Sequence, residues 1–251
     1  MIVNVQPDRV QIVRQRDHAR LSGAIADAWR RPTEFSDEHW DRFCQAVRIH
    51  DDGWGDECNT ASLGEDGLPR NFKQIDGDLH HNIWLRSIEL ASFQDPFAGL
   101  LVAMHSRRLE IDFGEKNVAT EKFIERLERI IAQLIEGLQK SDSELVEPEL
   151  LEESHQLLLY MDGFSLMLLG GIDWIDQTKP LAIARQRIPI SLSKTDAGCA
   201  MDPWPFESDV VEEKVATYIC NQDEFTDDAS LRSRLEDEPT TLTTVQITRQ
   251  P

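Results

Sequence analysis

The run Leu157-Leu158-Leu159-Tyr160-Met161-Asp162-Gly163-Phe164-Ser165-Leu166-Met167-Leu168-Leu169 holds one carboxylate in an otherwise apolar stretch. It lies in a segment from about Glu149 to Leu169 that reads as a helix rich in Leu and Met. A buried carboxylate without a partner is expensive, so a fold that packs this helix must bring Asp162 a cation, a metal or a strong donor. A structural hydrogen bond and a ligand role are both open at this point. His155 stands seven residues earlier, close to two helical turns, and shares a face with Asp162.

Other candidate partners sit where apolar helical stripes meet polar residues. A helix starting near Ser36 carries Trp40, Phe43, Cys44 and Val47, and the stripe runs directly into His50-Asp51-Asp52-Gly53-Trp54. At about 100° per residue His50 falls near Phe43 and Val47, so its imidazole points inward. His18 lies on or at the start of a helix marked by Ala19, Leu21, Ile25, Ala26 and Trp29 and ended by Pro32. Asp95 and Pro96 fit the N-cap and first turn of another helix, on which Leu101, Met104 and His105 share one side. Imidazole and carboxylate together suit Mn, Fe, Ni or Zn, whereas an all-oxygen set would suit Mg or Ca.

The rest of the chain frames these helices. Residues 2–5 and 10–14 are β-branched runs separated by a turn, and read as a hairpin. Residues 53–78 read as an irregular glycine-containing loop in which Arg70, Asn71 and Lys73 are candidates to hold an anionic substrate. A helix over 79–93 carries His80 and His81, and a long amphipathic helix falls within 110–146. Beyond Gly170-Gly171, residues 181–192, 214–220 and 242–247 are strand-like, Asp202–Phe206 is a turn with aromatic anchors, and 226–237 fits a short helix. Pairing of the hairpin with the C-terminal strands gives a mainly α single domain over 1–251. Its helical core spans about 14–170, with a β-containing appendage from 1–13 and 180–250.

Composition narrows the function. There are 26 basic and 46 acidic residues, a formal charge of −20, which argues against nucleic-acid and anionic-membrane partners. No uncharged apolar run approaches the roughly 20 residues that span a bilayer. Cys44, Cys58, Cys199 and Cys220 form no CxxC pair and read as reduced thiols, so the expected location is cytoplasmic.

The order His18, then His50-Asp51, then Asp162, on successive helices, resembles the HD superfamily of metal-dependent phosphohydrolases. That resemblance implies an HD-domain-like helical bundle holding a divalent metal ion, with His18, His50, Asp51 and Asp162 as ligands. It further implies hydrolysis of a phosphoester or nucleotide, a small-molecule substrate, with Asp52 orienting ligands or water and His105 donating a proton. His105, with His80 or His81, would match the extra histidines of some branches; a two-iron oxygenase is a weaker variant. By local phrasing, Asp17-His18-Ala19-x-Leu21-Ser22-Gly23, His50-Asp51-Asp52-Gly53-Trp54 and Pro203-Trp204-Pro205-Phe206 together resemble an uncharacterised bacterial family known only as a domain of unknown function. The alternative is a non-catalytic helical ligand-binding or interaction module with a degenerate site. In either case the 115–140 helix is a candidate surface for homo-oligomer formation.

Overall fold

The computed structural model describes residues 1–175, 181–183 and 186–250, with backbone alone at 56–58, 181–183 and 186–188. Strands β1 (Ile2–Val5) and β2 (Val10–Val13) form an antiparallel hairpin with Ile2 opposite Val13. Helices α1 (Gln15–Ala28) and α2 (Asp37–Ile49) follow, then a 3-10 turn at Asp52–Asp56 and the short α3 (Glu57–Thr60). Next come α4 (Gly77–Gln94), α5 (Pro96–Phe113), α6 (Val118–Ser141) and α7 (Pro148–Leu168). The remainder is β3 (Leu181–Ile183), β4 (Gln186–Ile188), β5 (Ser191–Thr195), β6 (Gly198–Asp202), β7 (Val210–Cys220), α8 (Asp228–Glu236) and β8 (Thr241–Arg249).

Short polar side chains start the helices where the sequence places them. Ser36 Oγ accepts from His39 N–H at the head of α2, and Asp95 Oδ1 accepts from Phe97 N–H at the head of α5. Asp76 and Asn117 do the same for α4 and α6. The break between α5 and α6 divides the amphipathic stretch expected over 110–146. Gly114 ends the first helix and Asn117 caps the second, so the apolar stripe of α6 begins at Phe123. Phe123, Leu127 and Leu138 are buried, with Ile130, Ile131, Leu134 and Ile135 half-buried against the same core.

Six strands form one sheet in the order β1-β2-β7-β8-β6-β5, antiparallel except for the parallel pair β6–β8. The N-terminal hairpin joins the C-terminal strands through β2 and β7, where Val10 pairs with Cys220 and Ile12 with Tyr218. Strand alternation gives the sheet two apolar faces. Val13, Val211, Val215, Val245 and Ile247 join the core shared with the helices. Val10, Ile12, Tyr218 and Cys220 face the other way and pack with Leu231 and Leu235 of α8.

This arrangement corrects the expected fold class. A six-stranded mixed sheet walls the main core and is covered on its far side by α8, so the protein is an α/β mix and not a mainly α HD-like bundle with a small sheet. The strands that make the difference are β5 and β6. Their sequences, Ser-Leu-Ser-Lys-Thr and Gly-Cys-Ala-Met-Asp, carry few β-branched residues and show no strong pattern by themselves. The single strand expected over 181–192 is divided among β3, β4 and the start of β5; positions 184 and 185 within it lie outside the described residues. Residues 53–78, expected to be irregular, hold the 3-10 turn, α3 and a capped 3-10 turn at Phe72–Gln74.

The sheet also fixes α1. Trp29, at its C-terminal end, bridges to Phe206, and Arg30 N–H donates to Pro205 C=O at 2.8 Å. Trp29, Phe206 and Trp204 stack edge to face in turn. Gly53 decides how the segment after His50 lies. A Cβ there would stand 2.2 Å from Ile83 O and 2.5 Å from Ser87 Oγ, so only glycine lets the turn rest directly on α4. Gly53 N–H then donates to Ser87 Oγ at 3.0 Å.

Candidate metal centre

Four helices place polar side chains at one buried point. His18 comes from the first turns of α1, His50 caps the C-terminus of α2, Asp51 follows it, His105 comes from α5 and Asp162 from α7. The inward stripe of Phe43 and Val47 continues into His50 because the cap residue keeps right-handed helical angles, φ −56° and ψ −26°. His18, His50 and His105 are all buried, and Asp51 and Asp162 each keep only 10% of their side-chain surface exposed.

The ligand atoms converge. One atom each from His18, His50 and Asp162 lies within 4.8 Å of the other two. Asp162 Oδ1 is 3.4 Å from His50 Nε2 and 3.7 Å from His18 Nε2. Asp51 Oδ2 is 2.9 Å from His18 Nε2 and 3.9 Å from His50 Nε2. The other carboxylate oxygen, Asp162 Oδ2, is 3.4 Å from His105 Nε2. Of the six residues expected to be ligands or catalytic groups, five meet here. Asp52 turns away, and its Oδ1 accepts from Arg20 at 3.0 Å and lies 3.4 Å from Arg16 Nε.

Hydrogen bonding leaves this cluster incomplete. His50 Nδ1–H donates to Val47 C=O at 2.7 Å, which leaves Nε2 as the nitrogen aimed at the carboxylates. Among the described residues that Nε2 is buried and makes no hydrogen bond, and the same holds for His105 Nδ1. Buried polar atoms are nearly always satisfied, so an imidazole nitrogen without a hydrogen bond between two carboxylates fits a cation, whether a proton or a metal ion.

Electrostatics points the same way. Burial alone favours a neutral His50, but Asp51 and Asp162 outweigh it and push its pKa up to about 9. Burial works against ionisation of Asp162, yet His105 and His50 hold its carboxyl well below the usual carboxylate range. Asp51 is likewise lowered, because His50 and His18 offset its desolvation. Two buried carboxylates therefore stay ionised and demand positive charge, which a proton on His50 supplies in the metal-free protein.

The surroundings include groups that sequence reasoning passed over. Ser165 Oγ lies 2.8 Å from His18 Nδ1 and 2.8 Å from Ser22 Oγ, and both serines are fully buried. The available signal was spacing: Ser165 is three residues from Asp162 and Ser22 four from His18, on the same helical faces. His81 and the buried Glu110 form a 2.9 Å pair, and His80 stacks on Trp84. Neither histidine reaches the three converging ligands. Arg70, Asn71 and Lys73 are engaged locally: Arg70 donates to Leu63 C=O, Asn71 caps the 72–74 turn and Lys73 sits over the Phe72 ring.

No curated protein and no solved structure matches the chain. Among the described residues, no helix is long and apolar enough to cross a membrane. Residues 1–222, which include every residue of the cluster, match a family described as a protein of unknown function, DUF3891, and the chain belongs to that family.

Proposed function

We propose that the protein is a metal-dependent hydrolase acting on a small phosphoester or nucleotide. The observation that carries the reading is the convergence of His18, His50 and Asp162 around a buried His50 Nε2 that makes no hydrogen bond. Asp51 supplies the second negative charge, and His50 Nδ1–H is already committed to Val47, as an imidazole ligand requires. Manganese, iron, nickel or zinc suits this mixed nitrogen and oxygen set. Such an ion, when bound, lowers the pKa of water and polarises a phosphoryl oxygen.

The chain's own residues carry the remaining roles. His105 lies 3.4 Å from Asp162 Oδ2, with its ring packed edge to face on His50, and it is the candidate proton donor to a leaving group. Asp52 is a positioning residue: through Arg20 and Arg16 it ties the His50–Trp54 turn to α1. The slight exposure of the two carboxylates favours a small substrate over a macromolecule. The ligand order, His, His-Asp, Asp, resembles that of the HD phosphohydrolases, and this likeness supports a phosphoester as the substrate class.

The depth of the cluster favours one other reading, a binding module whose metal has no catalytic role. The two separate on turnover. Protein reconstituted with Mn, Fe, Ni or Zn is assayed against a chromogenic phosphodiester and a nucleotide panel, beside Asp162→Ala. Hydrolysis lost in the variant supports the enzyme. Bound metal without turnover of any substrate supports the binding module.

A further inference from the structure

We propose that Ser165, backed by Ser22, is a positioning residue that lets His18 exchange tautomers when a metal binds. The inference rests on the metal reading above. Its starting point is that one set of heavy-atom positions satisfies two complete hydrogen-bond patterns.

In the first pattern His18 Nε2–H donates to Asp51 Oδ2 at 2.9 Å, and Nδ1 is a lone pair. Ser165 O–H then donates to Nδ1 at 2.8 Å, and Ser22 O–H donates to Ser165 Oγ at 2.8 Å. Every group of this His18–Ser165–Ser22 chain is satisfied with no metal present. In the second pattern Nε2 is the lone pair, which a metal ligand must be. Nδ1–H now donates to Ser165 Oγ, and the Ser165 hydroxyl turns to the Asp162 carbonyl, 2.9 Å away. Ser22 keeps an acceptor either way, because His18 C=O lies 3.1 Å from its hydroxyl.

A side chain that only donated or only accepted at Ser165 would serve one pattern and orphan a buried group in the other. A hydroxyl does both by rotating. His18, Ser22 and Ser165 are all 0% exposed, so water cannot substitute. The exchange is balanced: one proton leaves Nε2 for solvent, one from solvent arrives at Nδ1, and the charge of the ring does not change. The same hydroxyl joins α1 to α7, because it touches His18 and the backbone of Asp162, the two ligands most distant in sequence.

The test reads the tautomer directly. Protein labelled with 15N histidine is examined by long-range proton–nitrogen correlation, metal-free and with one equivalent of Zn2+. The expected result is Nε2–H at His18 without zinc and Nδ1–H with it. Ser165→Ala should weaken zinc binding about 10- to 100-fold, the usual range for a group that orients a ligand. Ser165→Thr, which keeps the hydroxyl, should recover part of that loss, and Ser22→Ala should cost less than Ser165→Ala. Zinc that binds with His18 in one unchanged tautomer overturns this proposal and leaves the metal reading standing. Absence of any zinc binding overturns both.

Discussion

Two histidine-bearing regions of α2 make opposite use of the same chemistry. At its N-terminal end His39 is buried, stacked on Phe35 at 4.5 Å, and its Nε2–H donates to Ser154 Oγ at 2.9 Å. Ser154 O–H donates in turn to Leu150 C=O. One turn on, Arg42 grips Asp95 with two 2.7 Å bonds and reaches Asp142 at 3.5 Å, tying α2 to the head of α5 and the tail of α6. At the C-terminal end His50 is equally buried, yet its Nε2 makes no hydrogen bond and two ionised carboxylates crowd it. In the first region charge and hydrogen bonds close on themselves, which marks a structural joint. In the second they close only if a cation is added, which marks a site.

The strongest break in the comparison comes from pH. The raised pKa of His50, about 9 against 6.5 in the unfolded chain, means that its proton stabilises the metal-free fold below pH 6.5. That contribution is lost as pH rises through 9. Metal must displace the same proton, so apparent affinity should rise about tenfold per pH unit up to pH 9 and then level off. Zinc titrations between pH 6.5 and 9.5, with proton release followed in weak buffer, check this. The joint has the opposite sign. Burial lowers the pKa of His39 to about 4, so the unfolded chain binds the extra proton and stability falls between pH 6.5 and pH 4. His39→Gln should flatten that part of the denaturation profile and leave metal content unchanged.

Arg42→Ala should cost about 2–3 kcal/mol in urea unfolding, because it strands the half-buried Asp95, again with no loss of metal. Gly53→Ala acts on the site from outside it. The new methyl must push the His50–Trp54 turn off α4, so a loss of about 1–3 kcal/mol is expected together with weaker metal binding. The smallest effect belongs to Arg20→Ala. Its pair with Asp52 is 42% exposed on the arginine side, and its removal should cost at most about 1 kcal/mol.

Much of the site was legible because helical periodicity is local. The stripe through Phe43 and Val47 aims His50 inward, and the apolar setting of Asp162 requires a partner. The structure brings those residues together with His18, Asp51 and His105. Asp52 differed because facing depends on one residue: next to Asp51 in the chain, it points to Arg16 and Arg20 instead. The serines were hidden by their chemistry, since a lone Ser on a helix ordinarily bonds its own backbone. The fold was less legible. β5 and β6 are strands because β8 and each other complete their ladders, and such pairings are tertiary. No local pattern in Gly198–Asp202 announces a parallel partner almost fifty residues on, where Cys199 meets Ile247.

The central claim, that His18, His50 and Asp162 hold a metal, is tested most directly by elemental analysis. Wild-type protein is purified without chelators or a polyhistidine tag, beside His50→Ala and Asp162→Ala. The account predicts about one equivalent of a transition metal in the wild type and its loss in both variants. A folded wild type that holds no metal, even after incubation with Mn, Fe, Ni and Zn, would contradict it.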